Sequence, residues 1–347
     1  MWQTQIPGVR SAILPSRANR PNPLITVHAV FASIWSPGLI CALKTDSGAI
    51  LWSREVDSYA SPGLLVHGNV VFAASCRTLY CLNARTGEIS WTFTPQQAKG
   101  EWIYSEPVFS SGRIFIGDRC GNLNCLDAKT GKMVWHRQLS RGDKNAVNST
   151  ALVFRNTVIS ANNQGKVVCF DFHTGRTMWR QQVDGAVTDG LLRIGNRVFV
   201  TADSLFEIDS ASGAVVRKTS YQGKRMASAT VAGRLIVAML AADFQSIAAA
   251  WNDPSAFNGQ LVFLSKGCET ARVNVQGTPG LRTCTESGLI FAADHYGFRV
   301  FDPSTGQLLQ SRNDHLALPG YANGKLYGLT EDGVVFSEAV NLAIPVE

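Results

Sequence analysis

Three polar residues stand where chemistry could be done. Aligning the chain on its glycine hairpins puts Glu106, Ser149 and Asp189 at one equivalent place, shared with Pro62, Ala227, Leu281 and Leu318, just ahead of successive apolar runs. Two carboxylates brought close together could share a proton or bind a cation, which makes Glu106 and Asp189 the candidate acid and base and Ser149 the candidate hydroxyl beside them. Trp102, Tyr104 and Lys144 lie near enough in sequence to rim the same cleft. The plainer reading of the same residues is a set of solvated side chains bonded to neighbouring amides. No nucleophile signature accompanies them: the chain has no GxSxG, no HExxH and no Gly-rich phosphate loop opening a helix, and its six histidines are dispersed.

What must position these residues is a repeat. Cys41 to Trp52 reads CALKTDSGAILW, and Cys81 to Trp91, Cys125 to Trp135 and Cys169 to Trp179 restate it as CLNARTGEISW, CLDAKTGKMVW and CFDFHTGRTMW. Glu207 to Arg217 and Val300 to Gln310 are weaker copies, and Leu261 to Val273 is a degenerate one. The turn glycines Gly48, Gly87, Gly131, Gly175, Gly213, Gly267 and Gly306 are spaced by 39, 44, 44, 38, 54 and 39 residues, the range of propeller blades. In each copy an apolar alternating run predicts a buried strand, Asp or Asn then bonds turn amides, and Gly supplies the positive φ that returns the chain. A second hairpin precedes each copy, as at Gly68-Asn69 and Ser111-Gly112, so one repeat holds three clear strands and room for a fourth.

The expectation is an all-β chain: an eight-bladed β-propeller of four-stranded antiparallel blades over residues 24–347, with seven blades as the alternative. Residues 1–23 are expected to form a basic, irregular N-terminal extension. The C-terminal residues are expected to complete the blade that the N-terminus begins. The 54-residue spacing places an insertion at about 241–258, where Ala241 to Trp251 reads as a short helix. Parallel α/β folds need helical stretches between strands that are not visible here.

The phrase at Leu126-Asp127-Ala128-Lys129-Thr130-Gly131-Lys132-Met133-Val134-Trp135 resembles the tryptophan-docking repeat of the pyrroloquinoline-quinone-like propellers, and the likeness extends over nearly the whole chain beyond residue 23. The resemblance implies eight blades with Trp52, Trp91, Trp135 and Trp179 wedged between neighbours. That superfamily includes quinoprotein dehydrogenases, an outer-membrane assembly lipoprotein and propellers that only bind or scaffold. Quinone enzymes are similar in carrying adjacent cysteines beneath the cofactor, and this sequence has no Cys-Cys dipeptide. No cofactor is expected.

Composition narrows the rest. The formal charge is +6, with basic residues scattered singly between apolar runs rather than gathered in a Lys/Arg run, which argues against nucleic acid. Residues 24 to 43 carry no charge, but His28, Ser33, Ser36, Pro37 and Gly38 make a poor membrane helix, so a strand pair without a membrane span is expected. Cys41, Cys81, Cys125 and Cys169 recur in register, as do Cys76 and Cys120, which points to small buried hydrophobes; a zinc site lacks a His pair at ligand spacing, so no metal is expected. Without a recognisable export signal the expected compartment is the cytoplasm. The reading is a non-catalytic scaffold engaging a protein or peptide partner through one face, with a small-molecule ligand at the axis as a further option. The alternative is a hydrolase, lyase or isomerase acting on a small polar metabolite with Glu106 and Asp189.

Overall fold

A computed structural model describes residues 1–10, 12, 23–95, 103, 105–140, 146–222, 224–241, 258–266, 268–276, 280–283, 288–294, 297–312, 320–330 and 332–339. The fold is an eight-bladed β-propeller of four-stranded antiparallel sheets, with no helix among the described residues. The chain divides into two compact units: Met1–Pro62 with Gly223–Glu347 as unit 1, and Gly63–Gln222 as unit 2.

Unit 2 carries four successive blades. Blade 2 is built from Ala60–His67, Val70–Ser75, Leu79–Asn83 and Ile89–Phe93, and blade 3 from Val108–Ser110, Arg113–Gly117, Asn122–Asp127 and Met133–Gln138. Blade 4 holds Leu152–Phe154, Thr157–Ala161, Lys166–Asp171 and Thr177–Gln182; blade 5 holds Leu192–Ile194, Arg197–Thr201, Leu205–Asp209 and Val215–Thr219. The middle strands are the core: Ile114, Phe115, Leu123, Cys125 and Leu126 of blade 3 are all buried. The turn after each third strand closes as the sequence directs. Asp127 Oδ1 accepts bonds from the Thr130 amide and hydroxyl at 2.9 and 2.8 Å, and the Gly131 amide donates back to the Asp127 carbonyl at 2.8 Å. A β-bulge follows at the same place in every copy of the phrase, including Cys81/Leu82, Cys125/Leu126, Cys169/Phe170 and Phe263/Leu264. The extra residue turns the tryptophan four places after the glycine toward the next blade.

Those indoles meet the following turn directly. Trp135 Nε1 donates to the Phe172 carbonyl at 3.1 Å, and Trp91 and Trp179 do the same to Ala128 and Ser210 at 3.1 and 3.0 Å. A Cβ on Gly175, which has φ +66°, would fall 2.7 Å from the Trp135 ring, so glycine there answers both the backbone and the flat contact. Trp52 is buried against Phe31 in unit 1, with ring centroids 6.0 Å apart.

Unit 1 contains blade 1 (residues 24–55), blade 6 (225–276), blade 7 (280–312) and blade 8. Blade 8 corrects the expectation for the termini. Residues 24–55 make their own four-stranded sheet, while Trp2–Gln5, inside the segment expected to be irregular, pairs with Val334–Ala339 as the outer strand of a sheet whose other strands are Lys325–Leu329 and Gly320–Ala322. The N-terminus thus completes the blade that the C-terminus builds. Trp2 sits as the indoles of unit 2 do: its Nε1 donates to the Thr45 carbonyl at 2.9 Å, and its ring covers Gly48. Blade 6 has Ala271 where the phrase has tryptophan, and there the buried Phe263 ring, together with the Ala271 methyl, packs against Gly306. The expected insertion at 241–258 and its helix lie almost wholly outside the described residues.

Candidate functional site

In a four-stranded antiparallel blade the links between strands one and two and between three and four leave from one end. The link between two and three, and the run to the next blade, leave from the other. Unit 2 therefore has a turn end and an opposite end, and their chemistry differs.

The opposite end holds the residues singled out as acid, base and hydroxyl. Ser149 is buried, and its Oγ donates to the Ala161 carbonyl at 2.8 Å and accepts from the Ala161 amide at 3.3 Å. Ser105 makes the same pair of bonds with Gly117, at 3.1 and 2.6 Å. The strand registers agree: Phe109 lies opposite Ile114 in blade 3 as Val153 lies opposite Val158 in blade 4. Ser105, Ser149 and Asp189 are thus the equivalent residues, and Glu106 stands one step further on, in register with Thr150 and Gly190. Each serine closes the entry to its inner strand with its proton and a lone pair already engaged. Asp189 accepts the Gly190 amide at 2.8 Å. Glu106 packs on Gly63, where a Cβ would come 2.7 Å from its Cγ. Trp102, Tyr104 and Lys144 lie outside the described residues, as does Leu318, and the side chains of Pro62, Ala227 and Leu281 do too.

Further polar groups at this end are bonded inward. Asp118, 2 % exposed, accepts the Asn122 amide at 3.0 Å, the Asn122 side-chain nitrogen at 3.1 Å on both oxygens, and the Asn124 nitrogen at 3.0 Å. Asn162 bonds Ser140 at 2.6 Å and takes the Gln164 and Lys166 amides. Asp184 joins Lys218 at 2.8 Å and the Ser204 hydroxyl at 2.7 Å; burial alone would raise its pKa, but these partners hold it below the usual carboxylate range.

The turn end is assembled differently. Each inner hairpin touches its own outer turn, with the Ala84, Ala128, Phe172 and Ser210 amides donating to Asn69, Gly112, Asn156 and Asn196. Neighbouring inner strands also meet near this end, where His67 stacks on Phe109 at 3.8 Å and the Arg155 and Arg193 guanidiniums lie over the Phe154 ring at 4.9 and 4.1 Å. The carboxylates here are occupied by their own turns. The Thr130 and Thr174 hydroxyls, then the amides of the same residues, hold Asp127 and Asp171 below the usual carboxylate range, while Ser212 does so for Asp209 through its amide first. Arg113 and Arg197 pair with Asp127 and Asp209 at 3.5 and 2.6 Å. That leaves Arg85, Lys129, Lys132, Arg155, Arg176 and Arg193 exposed and without an ion pair among the described residues, against Glu88. Sequence reading missed this set because it is spread over four successive repeats; the signal, which only Arg155 lacks, is the recurrence of a cation two residues before or one residue after a turn glycine.

Residues 28–219 match the family model described as outer membrane protein assembly factor BamB. The chain belongs to that family. The BamB match spans the strongest copies of the repeat and all four blades of unit 2. Beside it, 97 residues are 28 % identical to the BamB of Legionella pneumophila strain Paris, covering 28 % of this chain and 24 % of that protein. The match thus spans about a quarter of that relative's length. Two solved structures share the fold. The BamB of Moraxella catarrhalis superposes with a TM-score of 0.58 at 19 % identity, over 90 % of this chain and 81 % of that one. The quinohemoprotein alcohol dehydrogenase ADHIIG of Pseudomonas putida HK5 gives 0.74 at 11 % identity, over 100 % and 77 %.

Four cysteines of this BamB-family chain recur along the repeats, and all four are buried. Cys41, Cys81, Cys125 and Cys169 lie inside four separate hydrophobic clusters, each shared by two neighbouring blades, and burial pushes their thiols up to about 12, 11, 12 and 11. They pack as small apolar side chains. Among the described residues no group of three or more His, Cys, Asp or Glu is placed to hold a metal ion, and no helix is long and apolar enough to cross a membrane.

Proposed function

We propose that the chain is a non-catalytic scaffold that engages a protein or peptide partner through one end of its blades. The observation that carries this reading is the internal engagement of the side chains that would have to do chemistry. Ser149 and its counterpart Ser105 are tied to backbone in both directions, Asp118 is closed off by two asparagines, and Glu106 and Asp189 occupy different steps of the repeat. A rigid array of short antiparallel sheets with outward-facing turns suits recognition, because loops on a stiff scaffold are free to vary in side chain without altering the core. Membership of the BamB family favours the same reading. The cytoplasmic compartment read from the sequence belongs to the proposal too, and fractionation of cells expressing the natural gene tests it.

The test is affinity capture with the full chain followed by titration calorimetry of the purified captured protein. A saturable 1:1 isotherm supports the scaffold. The reading is overturned if no captured protein binds in purified form while a metabolite panel reveals turnover that Glu106→Gln abolishes.

A further inference from the structure

The distribution of charge between the two ends of unit 2 is lopsided. Among the described residues, the connections at the opposite end carry Glu106, Asp118, Asp184, Asp189 and Asp203 against Arg77 and Arg119. At the turn end the six exposed cations face one exposed carboxylate, Glu88, which takes a bond from the Thr86 hydroxyl at 3.2 Å. The remaining turn-end acids keep their charge but offset only part of this excess: Asp127 and Asp209 pair with Arg113 and Arg197, and Asp171 is held by the Thr174 amide and hydroxyl. The cations also have firm footing. The indole contacts from Trp91, Trp135 and Trp179 fix each turn against its neighbour, and Arg193 donates to the Gly195 carbonyl at 2.7 Å while resting on Phe154. Cations held in fixed places on a rigid base lose little freedom when a counter-charge arrives.

We infer that the turn end of unit 2 docks an acidic polypeptide segment, a stretch rich in Asp and Glu lying across blades 2 to 5. The inference rests on the scaffold reading and names the chemistry of its partner. Carboxylates match the surface better than the other anions that could reach it. Single-stranded nucleic acid is gripped by cations along a track with aromatic faces open for stacking, and here the Phe154 ring is already engaged by the Arg155 and Arg193 guanidiniums. An anionic membrane calls for apolar side chains at the same tips. The exposed Ile89, Met133, Val134, Met178, Val215 and Val216 instead lie on the outer strands, past the turns.

The experiment is fluorescence anisotropy of a fluorescein-labelled oligoglutamate peptide with the full chain and two charge-reversed variants, Arg155→Glu/Arg193→Glu and Lys129→Glu/Lys132→Glu. Circular dichroism and melting confirm that each variant is folded. Wild type binds at low salt and weakens as salt rises, and each double reversal lowers affinity roughly tenfold. Arg77→Glu/Arg119→Glu, at the opposite end, leaves binding unchanged. The inference is overturned if the peptide does not bind, if the two ends respond alike, or if duplex DNA or phosphatidylserine vesicles bind more tightly than oligoglutamate and lose that binding in the same variants. Its failure is separable from that of the scaffold reading: a captured protein that binds wild type and the turn-end variants equally keeps the scaffold and removes the acidic partner.

Discussion

The two ends of unit 2 use the same residue types for opposite purposes. At the opposite end, Asp118, Ser149 and Asn162 close on backbone and on each other. At the turn end the acids are equally occupied, but by the turns that carry them, and the cations are left facing water. Polar groups folded inward define where strands begin and reverse; polar groups left outward are what a partner can meet. Under the scaffold proposal, the residues that look catalytic in the sequence serve as strand anchors, and the turn end is the surface proposed to meet a partner.

The contrast can be broken from either side. Trp135→Ala removes a buried indole bonded to the next blade beneath the turn end, and is expected to cost about 3–5 kcal/mol in chemical denaturation. Asp118→Ala leaves the Asn122 amide and side-chain nitrogen without their acceptor in a buried site and leaves the Asn124 nitrogen only its bond to the Ile116 carbonyl. At about 1–3 kcal/mol for a group so orphaned, the loss should approach that of Trp135→Ala, whereas Asp118→Asn retains an acceptor and should cost less. Ser149→Ala strands the Ala161 amide and is expected to lower stability by about 1–3 kcal/mol in urea unfolding. A drop of that size with no effect on any ligand marks a strand anchor, while an unchanged unfolding curve would return Ser149 to the functional list.

The turn acids give a smaller, pH-dependent effect. Hydroxyl and amide bonds from Thr174 depress the Asp171 carboxyl. Its contribution is therefore fully present above the ordinary carboxylate pKa, about 4, and is lost as pH falls through the depressed folded value. Asp171→Asn should flatten that acid-side decline in melting temperature. Arg155→Glu/Arg193→Glu removes two guanidiniums from the Phe154 ring, at about 0.5–1 kcal/mol each for exposed contacts, so a loss of binding in a variant that still melts as a folded protein reads out recognition.

Much of the fold was legible in the sequence, because each glycine turn and the strand before it are written locally. The register of the inner strands was less so. In blade 5 the first residue of the inner hairpin turn is Gly195, but in blade 3 it is Ser111 at φ +44° with Gly112 second, so alignment on glycines slipped by one in blade 3, setting Glu106 in place of Ser105. Trp2 was missed because its sheet is completed by residues from the far end of the chain, so no neighbouring turn glycine announces it. The bulge after Cys125 has no residue signature at all; it follows from the need to aim Trp135 at Gly175. The cationic turn end was invisible for a geometric reason: stacking repeats about 40 residues long gathers charges that the linear sequence scatters.

Hydrogen–deuterium exchange of the full chain with and without the oligoglutamate peptide tests the assignment of recognition to the turn end most directly. Slower exchange is predicted at residues 84–88, 128–132 and 172–176, with none at residues 105–106, 149 and 189. Protection confined to those latter positions would contradict the account and restore the opposite end as the working site.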